Sequence, residues 1–183
     1  MAKIQLAPAS YDLSACYKFG EKKEIEFVRK LRARGVDAII NPEKGESKYA
    51  IDLIINGHHV DLKWKGLPFY LSKKLVKRDP NEIAVINDRD MKYENDYPGG
   101  FLMFWFQQEA GEKYQVKVGR RFEVLIASFV DIRKQMDDGC PKRWNKHKIR
   151  QTSEGEIIIP EYKYYLDTKL MRKFKYADDP ICI

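Results

Sequence analysis

The stretch IDLIINGHHVDLKW, residues 51–64, decides the fold. Asn56-Gly57 sits between two β-prone runs, Ile51 to Ile55 and His58 to Trp64. An Asn-Gly pair tolerates the positive φ that both central residues of a tight hairpin turn require, and it is the strongest short-range hairpin signal a sequence offers. Counting outward from a two-residue turn, Ile55 faces His58, Ile54 faces His59, Leu53 faces Val60 and Asp52 faces Asp61. Side chains alternate along a strand. Ile51, Leu53, Ile55, Val60, Leu62 and Trp64 therefore form a core face, and Asp52, Asp61 and Lys63 share the other.

That register carries chemistry. Directly opposed residues have Cβ atoms roughly 4.5–5.5 Å apart, and like charges so placed destabilise the pair. A divalent cation between two carboxylates turns the repulsion into coordination; Mg²⁺ is commonly held by one or two carboxylates together with waters and phosphate oxygens. A lysine alongside can orient or help deprotonate the attacking water, or stabilise negative charge developing on phosphate. The reaction implied is metal-assisted phosphodiester hydrolysis. The competing reading is a solvated sheet face on which Lys63 bridges two acids. Surface pairs of that kind contribute only about 0–1 kcal/mol, so no structural need explains the trio.

Upstream, Glu21 to Arg34 reads as an amphipathic helix, with Ile25, Val28 and Leu31, and Phe27 beside them, on its apolar stripe. Gly35 is a natural stop and Arg32 and Arg34 suit the last turn. Glu24 borders the stripe, whereas Glu26 lies about 200° further round and has Lys30 as an i,i+4 partner. Residues 36–40 read as a short strand and Glu43 to Lys48 as a polar loop.

Downstream, Phe69 to Lys77 has helical character and Asp79-Pro80 opens another short element. Asp88 to Gly100 reads as a loop, Phe101 to Gln107 as a strand buried on both faces, and Lys113 to Val118 as its hairpin partner. A helix is expected over Phe122 to Met136, a basic linker over 140–155, a short strand from Glu156 to Ile159 stopped by Pro160, and a terminal helix from Tyr162 to Phe174. The first dozen residues read as loosely structured. The expected class is α/β, a mixed central sheet flanked by helices.

Composition sets the limits. With 183 residues the chain fits one domain, a core at about 18–108 and a C-terminal extension over 109–183. No apolar run is long enough for a membrane span and the N-terminus has no signal-peptide core, so a soluble intracellular protein, cytoplasmic or nucleoid-associated, is expected. Cys16, Cys140 and Cys182 form no paired or metal-binding spacing, consistent with a reducing compartment. Thirty-four Lys and Arg against 27 Asp and Glu give a formal net charge of +7, which favours a polyanionic partner. Two clusters stand out: Lys65, Lys73 and Lys74 after the hairpin, and Lys142, Arg143 and Lys146 around Trp144, where a base could stack.

Asp52, eight residues, then Asp61-Leu62-Lys63 resembles the catalytic core of the PD-(D/E)xK nuclease superfamily, the restriction-endonuclease-like fold. Within it, Glu24-Ile-Glu-Phe-Val28, Leu31, Gly35 and the Glu46-Ser47-Lys48 loop are most similar to archaeal Holliday junction resolvases. Ile51 stands at the nominal proline and Asp61 where many members carry Glu. The resemblance implies a Mg²⁺-dependent DNA endonuclease, with Mn²⁺ able to substitute. Asp52, Asp61, the Leu62 carbonyl and Glu24 would bind metal, and Lys63 would be the catalytic lysine. Lys48 would join the basic clusters on duplex or branched DNA, and a homodimer would cut two strands.

Overall fold

A computed structural model describes residues 13–47, 50–152 and 155–175, with side chains at 17–47, 50–144 and 162–175. The loosely structured start expected for the first dozen residues, and Lys48, lie outside the described residues. Among the described residues no helix is long and apolar enough to cross a membrane.

The chain opens with α1 (Leu13–Arg32), then β1 (Ala38–Ile40), a 3₁₀ turn at Pro42–Gly45, and the hairpin β2 (Leu53–Ile55) and β3 (His58–Lys65). A short α2 (Ser72–Val76) leads to β4 (Ile83–Asn87), a 3₁₀ helix at Asp88–Lys92, α3 (Tyr93–Asp96) and β5 (Phe101–Gln108). There follow β6 (Gly111–Lys113), β7 (Val116–Val118), β8 (Arg121–Ser128), α4 (Phe129–Asp137), β9 (Lys142–Thr152), β10 (Gly155–Asp167) and β11 (Arg172–Lys173).

The class is mixed α/β. One sheet has the order β1-β2-β3-β5-β8-β11, a second β4-β10-β9, and β6-β7 is a separate hairpin. In the six-stranded sheet only β3 and β5 run parallel, Asp61 level with Leu102 and Lys63 with Phe104; the other pairs are antiparallel. Asn56 (φ 48°) and Gly57 (φ 82°) both adopt the left-handed conformation, which sets the register expected for the hairpin: Leu53 opposite Val60, Ile54 opposite His59, Ile55 opposite His58.

The six-stranded sheet has a core on each face. On one, Phe27, Val28 and Leu31 of α1 pack on Leu53, Ile55, Val60, Leu62, Met103, Trp105 and Ile126. On the other, Leu102, Phe104, Phe106 and Leu125 pack on Ala84, Ile86 and Leu166 of the second sheet and Phe129 and Ile132 of α4. β5 is thus buried on both faces, as its unbroken apolar run requires. Ile51 belongs to the second core instead of the first, and Ile25 is 60% exposed, so the buried stripe of α1 is Glu24, Phe27, Val28, Leu31.

The C-terminal half departs from expectation in five places. Residues 122–136 are not one helix: β8 ends at Ser128, whose hydroxyl accepts the Asp131 amide at 3.0 Å and starts α4. A short apolar run such as Val124 to Ala127 fits a helix or a buried strand equally well by pattern. Residues 113–118 fold on themselves as part of β6-β7, leaving β5 to pair with β3 and β8. Residues 142–152 are a strand and not a linker, and β10 runs on past Pro160, where the register shifts between Ile159 and Glu161. A proline lacks the amide a ladder needs, and an irregularity accommodates it. The expected terminal helix is the end of β10, a 3₁₀ turn at Thr168–Leu170, and β11. Residues 69–77 are helical only over α2; the short element expected from Asp79-Pro80 is a 3₁₀ turn at Pro80–Glu82 leading into β4, and the loop expected from Asp88 to Gly100 holds a 3₁₀ helix and α3.

Candidate active site

Glu24, Asp52, Asp61 and Lys63 line one cavity of about 770 Å³, delivered by three parts of the fold. Glu24 occupies the first position of the buried stripe of α1, which points its carboxyl at the sheet. Asp52 stands just before β2, and Asp61 and Lys63 are on β3. Lys44, Asp90 and Tyr93 also line it, with Glu21 of α1 and with Arg89 and Lys92 from the same 3₁₀ segment as Asp90.

The β2-β3 ladder stops at Leu53, so Asp52 does not sit on a rung opposite Asp61 as the hairpin count implied. Its backbone carbonyl accepts the Asn41 amide at 3.0 Å, and its side chain enters the fork where the strands part. There Asp52 Oδ2 accepts the Leu62 amide at 2.9 Å. The amide and carbonyl of one strand residue point to the same side, which directs the Leu62 carbonyl toward the same fork. From the fork, Asp52 meets Glu24 on one side of the sheet and Asp61 on the other.

Two ammonium groups hold these acids. Lys44 Nζ donates to Glu24 Oε2 at 2.6 Å and to Asp52 Oδ1 at 2.8 Å. Lys63 Nζ lies 2.8 Å from Asp61 Oδ2 and 3.1 Å from Asp90 Oδ1. The Lys63 approach to Asp61 lacks the angle of a hydrogen bond, so Asp61 Oδ2 is buried with a charged neighbour but no donor. Asp90 is fixed in turn, its other oxygen accepting the Asn87 amide at 2.9 Å.

Burial governs the protonation of the cluster. It pushes the Glu24 carboxyl up to about 7, helped by the Asp52 charge and opposed by Lys44. It raises Asp61 well above the carboxylate range, the Asp52 and Asp90 charges adding to it against Lys63. Asp52 is desolvated too, but its hydrogen bond with Asp61 and the Lys44 ammonium outweigh burial and hold it below its ordinary value. Of the two, Asp61 is therefore the carboxyl that takes up a proton first as pH falls. Lys63 is also desolvated, yet Asp61 and Asp90 outweigh that and raise it, so it is a firm ammonium at neutral pH. Such a group stabilises negative charge; it is no proton acceptor.

Among the described residues no group of three or more His, Cys, Asp and Glu side chains forms a ready-made metal cage. Lys44 stands between Glu24 and Asp52 instead. The donor set nonetheless suits a hard cation. Once Glu24 and Asp61 have given up their protons, Glu24, Asp52, Asp61 and Asp90 outnumber Lys44 and Lys63 by the charge of one divalent ion, and Asp61 keeps an oxygen without a donor. Mg²⁺ asks for only one or two carboxylates, the rest being water and phosphate.

Glu26 turns away, bound to Lys23 at 2.9 Å and Lys30 at 2.7 Å. Of the basic residues expected on DNA, Lys73 and Lys74 are exposed on α2 and Lys142 and Arg143 on β9; the side chain of Lys146 lies outside the described residues. Lys65 is half-buried between the sheets and donates to the Val85 carbonyl at 2.7 Å. Lys44, Asp90, Arg89 and Lys92 were missed by sequence reading, because the two segments carrying them read as featureless polar loops. The chain matches no family model, no curated protein and no solved structure.

Proposed function

We propose that this protein is a Mg²⁺-dependent endodeoxyribonuclease of the restriction-endonuclease-like kind, cutting duplex or branched DNA, with Mn²⁺ able to replace Mg²⁺. The observation that carries this reading is the burial of Glu24, Asp52 and Asp61 around one point beside a permanently charged lysine, in a cavity open to solvent. No structural economy explains such a cluster, since buried like charges cost stability unless something compensates them. Asp52 and Asp61, with the Leu62 carbonyl and Glu24, would hold the ion, which would supply Lewis-acid stabilisation of the phosphate. Lys63, held by Asp61 and Asp90, aims its ammonium where negative charge develops on the phosphoryl oxygens. Glu24, poised near neutrality, accepts or holds a proton at its carboxylate oxygens. Arg89 and Lys92 at the rim, and Lys73 and Lys74 nearby in sequence, neutralise backbone phosphates. Cutting both strands of a duplex at once needs two such sites, hence two copies of the chain.

A second reading rests on Lys44. Its ammonium already neutralises Glu24 and Asp52, so the same cluster can be an internally compensated remnant in a DNA-binding module without catalysis. The deciding experiment incubates the protein with duplex, branched and single-stranded DNA and RNA, in Mg²⁺, Mn²⁺ or chelator. Metal-dependent cutting that disappears in Asp52→Asn and Lys63→Gln supports the nuclease. Salt-sensitive DNA binding without cutting supports the module, and cutting that survives both substitutions refutes the site.

A further inference from the structure

A second cavity, of about 570 Å³, opens where the two sheets meet beyond Lys63. That volume lies in the range of small-molecule sites. Its floor is aromatic: Phe106 and Tyr165 are buried, and the half-buried Phe69 ring lies 5.5 Å from that of Tyr165. Among the described residues its cations are Lys65, Arg143 and Lys163, and no carboxylate lines it.

The cations are placed at a cost. Arg143 and Lys163 are directly opposed on β9 and β10, an arrangement in which like charges repel. The charge of Lys163 also reaches Lys65. This is the opposed-carboxylate situation with the sign reversed, and an anion relieves it. Lys65 gives one N–H to Val85 and keeps two more for a ligand. An anion with a flat, apolar body matches both walls, and in a DNA-binding protein that description is a nucleotide.

Position adds a further constraint. Lys65 follows Lys63 by two residues on the same face of β3, about 6.6 Å further along the strand. The cavity therefore adjoins the acidic site. Exposed Trp144, next to Arg143 on β9, also lines the cavity.

Resting on the nuclease reading, we propose that this cavity receives one unpaired nucleotide next to the cleavage site, its base against Phe69 and Tyr165 and its phosphate among Lys65, Arg143 and Lys163. The preferred substrate then carries a flipped, bulged or branch-point nucleotide, and a perfect duplex is second best.

The test uses full-length Asp52→Asn protein in chelator, so that binding is read without cutting. Labelled perfect duplex, the same duplex with a one-nucleotide bulge, and free dAMP are titrated. Stacking of one base is worth about 1–3 kcal/mol, so the bulged DNA should bind about tenfold tighter. The preference should vanish in Arg143→Ala/Lys163→Ala, which loses no ion pair among the described residues and should melt no lower than its parent. Should that double variant not fold, Arg143→Gln on the exposed strand carries the same test. Saturable dAMP binding that competes with the bulge, without any bulge preference, would assign the cavity to a free nucleotide and overturn the substrate claim. Equal affinity for both DNAs with no dAMP binding would overturn the site outright, as would a preference untouched by the substitutions. Because no metal is present, a bulge preference stands even if the nuclease reading fails, and cutting of all DNAs alike sinks only this proposal.

Discussion

Lys44 Nζ lies 2.6 Å from Glu24 Oε2, joining a 3₁₀ turn to a helix twenty residues earlier and placing a positive charge where a metal ion would compete. The contact makes the acidic site stable without a ligand and sets what must be displaced to fill it.

Removing that ammonium should therefore separate stability from ligand affinity. Lys44→Met leaves Glu24 and Asp52 facing each other unpaired, and thermal unfolding in chelator should fall by up to about 3 kcal/mol, the pair being partly wet. Calorimetric Mg²⁺ titration of the same variant should show tighter binding than the parent. Weaker Mg²⁺ binding would mean that Lys44 does not compete for the site.

The pH response follows from Glu24. Its folded-state value of about 7 lies above its ordinary 4.5, so the native state binds more protons than the unfolded one between those limits. The contribution is complete below about pH 4.5 and is lost as pH rises through 7, on the order of 3 kcal/mol in all. Asp61, raised as well, acts in the same direction. Asp52, lowered, acts the other way, losing its contribution only as pH falls below its ordinary range. In chelator, urea midpoints should drop from pH 5 to pH 7.5 in the parent and drop less in Glu24→Gln; parallel slopes would remove Glu24 from the cluster.

Asp90 holds Lys63 through an ion pair of 3.1 Å. Asp90→Asn keeps an acceptor for the Asn87 amide but loses the ion pair to Lys63. With the nuclease reading, kcat should fall about tenfold while KM for DNA holds, since the altered charge matters only as negative charge develops. A KM change with constant kcat would assign Asp90 to DNA binding instead.

Gly100 ends the polar segment and begins β5 under a tight roof. A Cβ there would come within 2.9 Å of both the Tyr97 carbonyl oxygen and a Phe129 ring carbon. Gly100→Ala should lower stability by about 1–3 kcal/mol in denaturant melts, because a backbone oxygen cannot step aside. An unchanged midpoint would show the α3–β5 junction to be loose.

Much of this protein was decided by local sequence. Asn56-Gly57 admits only a tight turn, and that turn fixes which face each residue of β3 presents; the unbroken apolar run of β5 demands burial on both sides. The faces taken by Glu24, Asp61 and Lys63 were legible for the same reason, since helical periodicity and a two-residue turn set them. Tertiary contacts decided the rest. Val124 to Ala127 became strand and not helix because β5 offers it a ladder, and β10 runs past Pro160 because an irregularity and two neighbouring strands support it. Asp52 left its rung for the fork, and Lys44, Asp90 and Lys65 reached their partners from segments distant in sequence. Short-range patterns report the face a side chain takes; which charge waits across that face depends on chain folded back from far away, and no local periodicity encodes it.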